Sequence, residues 1–326
     1  MKRREFIRLA GGAAAWPLAA RAQRAGKIPR IGVLWHAGSP AEEAIFLAAL
    51  RQGLADLGYA EGKNIVVEHR FPAEMPERFR SMAAELTGLN LDVLVAAGQP
   101  PALALQQATS TIPIVFVAAY DPLAVGLVKS LARPTGNVTG FSLPDLIGKR
   151  LEIFKEALPN LVRVAVLVNA TNQSYAHRYI ESSQDDVRKL NLVFQPVEVD
   201  GPSDLERAFT AITQNGGTGV AAAADVMFYA NRRRLCDLAL ARRLPAMFHN
   251  GEFVKAGGLT SYGADVAAIF RRSAAYVDKI LKGEKPSDLP VEQPVLFRLF
   301  INLKTAKALD LALPPLLLTR ADEVIE

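Results

Sequence analysis

The chain has 326 residues, half of them apolar and 22% charged, enough to fill real cores in roughly two domains and too apolar for an intrinsically disordered polypeptide. Its one cysteine, Cys236, excludes an intramolecular disulfide framework and a cysteine-based zinc cluster. Residues 1–22 hold five Lys or Arg against Glu5, so that of the formal +5 only +1 belongs to the remainder, which gives no electrostatic support for nucleic-acid binding.

The amino terminus, "MKRREFIRLAGGAAAWPLAARAQ", has a basic start, a small-residue apolar middle and Ala20-Arg21-Ala22 before Gln23. That is the layout of an export signal peptide over 1–22, cleaved near Ala22, with Arg3-Arg4 resembling the twin-arginine type and ordinary Sec export as the alternative. The middle is too short to cross a bilayer, which needs about 20 apolar residues. Strand-like and helical patterns then alternate. "RIGVLWH" (30–36) is followed by the helical period of "EEAIFLAALRQGLADLG", which stops at Gly58. "NIVVEHR", the helix "MPERFRSMAAELTG", "LDVLVAA", "PIVFVAA" and "NVTGFS" come next. At 163–169 the pattern restarts with "RVAVLVN", and long helices again separate the strands "LVFQPVEV", "TGVAAAA" and "LPAMFHN". Strands alternating with helices of about ten residues or more imply parallel sheets covered on both faces. The expected fold class is α/β, two doubly wound parallel-sheet lobes joined by a hinge of several crossings. The last strand–helix pairs are too few for a third domain and are read as returns to each lobe. The expected division is 27–143 plus 264–285 for the N-terminal lobe and 144–262 plus 290–326 for the C-terminal lobe.

No catalytic set emerges. The histidines His36, His69, His177 and His249 have no metal-ligand spacing, and neither a G-x-S-x-G elbow nor a P-loop is present. In "GTGVAA" (217–222) the glycines precede the strand, the wrong side for a dinucleotide fingerprint. The basic cluster "NRRRL" (231–235) lacks interleaved aromatics and reads as a solvated helix face. Polar residues recur instead at strand ends, where such sheets hold ligands. They are Ser39, Gly98-Gln99, Tyr120-Asp121, Asn169, Thr171, Asn172, Asp225, Asn250 and Glu252, with Tyr262 at the late crossing. His36 and His249 also end strands, with loop packing as the alternative. Ser39 and Asp121 each precede a proline and read as helix N-caps. Asp225 follows "VAAAA" with no helix-start signal before about Tyr229, and a carboxylate there suits a ligand cation.

Several long stretches resemble one family. "GLADLGYAEGKNIVVEHR", "YDPLAVGLVKSLARPTGNVTGFS", "GKRLEIFKEALPNLVRVAVLVN" and "RRLPAMFHNGEFVKAGGLTSYGAD" are similar to the substrate-binding proteins of bacterial ABC transporters, close to the tryptophan/tyrosine-binding TrpX-like group. The resemblance implies a periplasmic binding protein type I fold, no enzymatic activity and no cofactor or metal. It further implies a monomer in the periplasm that binds a small molecule, an amino acid and often an aromatic one, and delivers it to an inner-membrane ABC permease. The implied ligand residues are Ser39, Gly98, Gln99, Tyr120, Asn169, Thr171, Asp225, Asn250 and Tyr262. A ligand carboxylate would meet Ser39 and the main-chain N–H groups around Gly98, Gln99 and Ala102, and its ammonium would meet Asp225. Trp35, Tyr120, Phe141, Tyr229 and Tyr262 would supply aromatic walls. Gln99, Tyr120 and "NATNQSY" depart from the family pattern, which leaves open a non-amino-acid solute. A ligand-sensing subunit for a membrane receptor is the other open role.

Overall fold

A computed structural model describes residues 28–326, so the export signal expected at 1–22 lies outside the described residues. The first sheet is built from β1 (Arg30–Leu34), β2 (Val66–Arg70), β3 (Val93–Ala97), β4 (Ile114–Tyr120) and β5 (Val138–Leu143). All its pairs are parallel, in the order β2-β1-β3-β4-β5. The central strand β3, "VLVAA", is buried throughout, because helices cover both faces of a parallel sheet. Those helices include α1 (Ala44–Asp56), α2 (Pro76–Thr87) and α3 (Gln99–Ala108).

The second sheet repeats the design. After α4 (Ile147–Ala157) come β6 (Arg163–Asn169), α5 (Gln173–Lys189), β7 (Val193–Val199), α6 (Leu205–Gln214) and β8 (Gly219–Ala222). Then follow α7 (Val226–Ala230), α8 (Arg232–Ala241), β9 (Ala246–Phe248), α9 (Gly251–Lys255) and β10 (Thr260–Ala264). The order β7-β6-β8-β9-β10 matches the first sheet strand for strand, and β11 (Phe297–Asn302) and β12 (Glu323–Ile325) extend it. Strand β11 runs antiparallel to β10. In both sheets the strand order reverses beside the first strand, and the crevice outside the carboxyl ends there is where doubly wound proteins bind ligands.

The chain leaves the second sheet after β10 to form α10 (Val266–Leu281), which packs along α1 of the first unit before β11 returns. The contact is close because Gly53 has no side chain: a Cβ there would overlap the Arg271 carbonyl oxygen. The return segment is pinned to β5 by paired main-chain bonds, Ser142 N–H to Glu292 O at 2.9 Å and Glu292 N–H to Gly140 O at 3.0 Å. No helix among the described residues is long and apolar enough to cross a membrane.

Three local readings change. Helix α7 starts at Val226, not near Tyr229, because Asp225 is extended and its side chain accepts the Met227 N–H at 2.9 Å. That is an N-cap, hidden in the sequence by the apolar residues that follow it. Ser39 caps no helix, since its hydroxyl donates to Glu42 at 2.7 Å and α1 begins only at Ala44. Asp121 caps a turn instead of a helix, accepting the Ala124 N–H at 3.2 Å.

Candidate functional site

The carboxyl ends of the two sheets face each other across a cavity of about 490 Å³ including its open mouth. The first unit lines it with His36 after β1, Phe46 of α1, Gly98 after β3 and Tyr120 at the end of β4, joined by Val266 and Phe270 of α10. The second unit contributes Asp225, Val226 and Tyr229 around the start of α7, and His249 and Asn250 after β9. Most of the wall is apolar or aromatic. Tyr229 bridges the units, edge-on to His36 with ring centres 6.3 Å apart and 5.5 Å from Phe46. A β-bulge at Ala118, whose φ is +62°, shifts the β4 register by one residue just before Tyr120. Bulges of this kind re-aim side chains beside functional sites.

One end of the cavity is acidic. Asp225 is buried and accepts from Asn169 Nδ2 at 3.0 Å and from Asn172 Nδ2 at 3.4 Å, in addition to the Met227 N–H. Thr171 fixes the Asn169 amide by donating to its Oδ1 from both N–H (3.0 Å) and hydroxyl (2.7 Å), which leaves Nδ2 facing Asp225. Next to it His36 Nε2 lies 3.1 Å from Glu43, a wholly buried carboxylate, and Nδ1 lies 3.7 Å from Glu74. Burial alone would lower the His36 pKa, but Glu43, Glu74 and Asp225 together outweigh it and raise it above the ordinary value. Burial raises the Glu43 pKa as well, partly offset by the neighbouring His36.

The other end is aromatic and basic. Tyr120 packs on Tyr175, and Tyr175 on Tyr179, with ring centres 5.7 and 5.5 Å apart. Behind them Arg150 of α4 is 3% exposed and donates to the Tyr179 hydroxyl at 3.0 Å. Among the described residues its one nearby carboxylate, Asp145, is 3.7 Å away. Burial, helped by the Arg150 charge, drives the His249 pKa down to about 3, so this imidazole is neutral at any ordinary pH.

Of the residues expected from sequence, Gly98, Tyr120, Asp225 and Asn250 line the cavity. Gln99, Asn169 and Thr171 line an adjoining opening between the units on the Asp225 side, where Asp225 itself is shared. Ser39 and Tyr262 lie outside both, Ser39 bonded to Glu42 and Tyr262 stacked on Phe297 with ring centres 6.2 Å apart. Trp35 and Phe141 are core residues and not walls. The Trp35 indole donates to His69 at 3.0 Å and stacks between Phe71 and Phe270, while Phe141 packs on Tyr276.

The expected main-chain carboxylate cradle at α3 is largely absent. The Gly98 N–H already donates to Ala96 O and Val117 O, the Ala102 N–H donates to Gly98 O, and Pro100 and Pro101 have no N–H, leaving only that of Gln99. Gly98 is there for its backbone: φ is +102°, yet the nearest neighbours of a Cβ, His36 and Val226 from opposite units, would both be 3.9 Å away. Glu43, Phe46, Arg150, Tyr175 and Phe270 escaped sequence reasoning, since each sits in a helical period that reads as ordinary amphipathic surface or core.

A family model described as ABC transporter substrate binding protein matches residues 30–325. A tyrosine-binding protein of Clostridioides difficile is 27% identical over 261 residues, which are 80% of this chain and 75% of that protein. Among solved structures, a conserved domain protein from Vibrio cholerae is 30% identical with a TM-score of 0.86, covering 91% of this chain and all of its own. An ABC domain from Streptococcus pneumonia in complex with L-Trp is 24% identical with a TM-score of 0.85, covering 92% of this chain and all of its own.

Proposed function

The chain belongs to the family of ABC transporter substrate binding proteins, binding proteins and not enzymes, and from that premise we propose that it is an exported, periplasmic component of an importer that carries an amino acid with an apolar, often aromatic, side chain. The observation that carries this reading is Asp225, a buried carboxylate on the wall of an otherwise apolar and aromatic cavity built by both units. An ammonium group satisfies that charge, and an apolar body fills the space between Phe46, Tyr229 and Phe270. The L-Trp complex and the tyrosine-binding relative support the ligand class.

The working cycle is hinge closure. A ligand that touches both units binds the closed state better than the open one and shifts the population toward it by that difference in affinity. Residues from both units touch across the cleft in this arrangement, through His36 and Phe46 on Tyr229 and through Tyr120 on Tyr175. The closed form is what the permease recognises and unloads. The lobes proposed to move are 27–143 with 264–285 and 144–262 with 290–326. The test is isothermal calorimetry, with thermal shift, of the purified protein against the twenty amino acids. Micromolar or tighter binding of an apolar or aromatic member is expected, and no response to any of them would sink the ligand class.

A further inference from the structure

Four buried polar atoms without a hydrogen-bond partner among the described residues gather at the aromatic end of the cleft: Arg150 Nε, the hydroxyls of Tyr175 and Ser142, and His249 Nδ1. Buried polar groups are almost always paired, so a cluster of orphans marks a place where something else binds. Arg150 is the most costly of them. Its guanidinium is nearly inaccessible, touches one neutral phenol, and has its one nearby carboxylate at 3.7 Å, beyond hydrogen-bond reach. A buried cation so weakly compensated is unfavourable unless an anion completes it. Asp145 is a poor candidate for that role, since its carboxylate accepts from the Ile147 N–H at 3.0 Å and from Ser182 at 3.1 Å and is itself substantially exposed.

The position of Arg150 ties it to the cavity. Its guanidinium donates to Tyr179, which packs through Tyr175 on Tyr120 of the cavity wall. It also stands one turn into α4, the helix that follows the first crossing between units, with its own N–H bonded to Leu146 O at 2.9 Å. The main-chain cradle that would otherwise receive an anion, at the start of α3, is occupied or proline-blocked except for the Gln99 N–H. We propose that Arg150, with the Tyr175 hydroxyl, is the carboxylate-recognising group of this cleft, so that the second unit, which also carries Asp225, reads both charged groups of a zwitterionic ligand. This deepens the amino-acid reading above and rests on it. Arg150 is not itself among the residues that line the cavity, so its engagement requires the tyrosine stack beside it to shift.

The test is calorimetry on the full protein and on Arg150→Met, with Arg150→Lys as a second variant should the first not fold. The probes are L-tryptophan and L-tyrosine, the matching amines tryptamine and tyramine, and the matching deaminated acids. The expected result is that wild type prefers the amino acids over the amines by at least tenfold. Arg150→Met should bind the amino acids at least tenfold more weakly and lose that preference, with Arg150→Lys in between. A purely structural Arg150 would lower stability without collapsing the carboxylate preference. Amino-acid binding to Arg150→Met within twofold of wild type, or equal binding of amines and amino acids by wild type, overturns the proposal and leaves the amino-acid reading standing. Binding of the deaminated acids alone supports Arg150 and overturns the amino-acid reading. No binding of any carboxylate overturns both.

Discussion

The Asn169 side-chain amide donates to the Asp225 carboxylate at 3.0 Å, across the ends of β6 and β8, the two strands that flank the reversal of strand order in the second sheet. One carboxylate thereby performs two tasks. It caps α7 through the Met227 N–H and holds a negative charge on the cavity wall, while Thr171 holds the Asn169 amide in the orientation this needs.

The two tasks separate by mutation. Asp225→Ala removes both, and at least tenfold weaker binding of L-tryptophan or L-tyrosine is expected, with a stability loss of about 1 kcal/mol from the lost cap. Asp225→Asn keeps a capping oxygen and removes the charge, so it should lose the affinity and retain most of the stability. Calorimetry paired with urea unfolding reads the two effects, and unchanged affinity in both variants would remove Asp225 from the site.

His249 makes the fold acid-sensitive. Its pKa falls from 6.5 in the unfolded chain to about 3 in the folded one, so its contribution is whole above pH 6.5 and is lost as pH falls toward 3. The slope approaches about 1.4 kcal/mol per pH unit for this one group. His249→Gln should unfold with a shallower dependence between about pH 6.5 and 4.5 than wild type. Parallel slopes in urea titrations of the two proteins would contradict the assignment.

His36 runs the opposite way. Its folded pKa is raised, so the stability it contributes is fully present below about 6.5 and is lost as pH rises through the folded value. Glu43→Gln takes away the nearest carboxylate and leaves Glu74 and Asp225 to oppose burial. NMR titration of the His36 ring should give a midpoint above 6.5 in wild type and a lower one in the variant. An unmoved midpoint would mean that Glu43 does not hold the proton on His36.

Gly53 sets local propensity against packing. Alanine in a helix interior is favoured over glycine by about 1 kcal/mol. Here the added Cβ would overlap the Arg271 carbonyl oxygen and lie 2.9 Å from the Ala274 methyl, so α1 and α10 would have to separate. A net destabilisation of about 1–3 kcal/mol is expected for Gly53→Ala, read as a lower thermal midpoint. A gain in stability would show that the helix pair yields without cost.

Much of the fold was legible because its signals are local. The strand "VLVAA" is buried end to end, and "RVAVLVN" restarts the pattern of "RIGVLWH" in a sheet of the same order. Asp225 was also legible, because a carboxylate directly after an apolar strand has few places to go but the sheet's carboxyl edge. Its capping role was not, because Val226, Met227 and Phe228 look like a continuing strand.

Trp35 marks where local reading ends. At a strand end it reads as a cleft wall, yet the β1–β2 register sets Leu34 opposite Arg70 and brings His69 within 3.0 Å of the indole N–H. Pairing partners 34 residues apart in the chain are chosen by register, and register is a property of the assembled sheet. Arg150 is the same lesson in a helix. "GKRLEIFKEA" has two adjacent basic residues, and only the packing of α4 against α5 leaves Lys149 in solvent and seals Arg150 beneath Tyr179. Periodicity and turn chemistry thus determined the two doubly wound sheets and the strand ends that border the cavity. Which side chains share the cavity, which donors are already spent, and which charge lies buried without a strong partner were decided by tertiary structure, because each depends on groups brought together from distant parts of the chain.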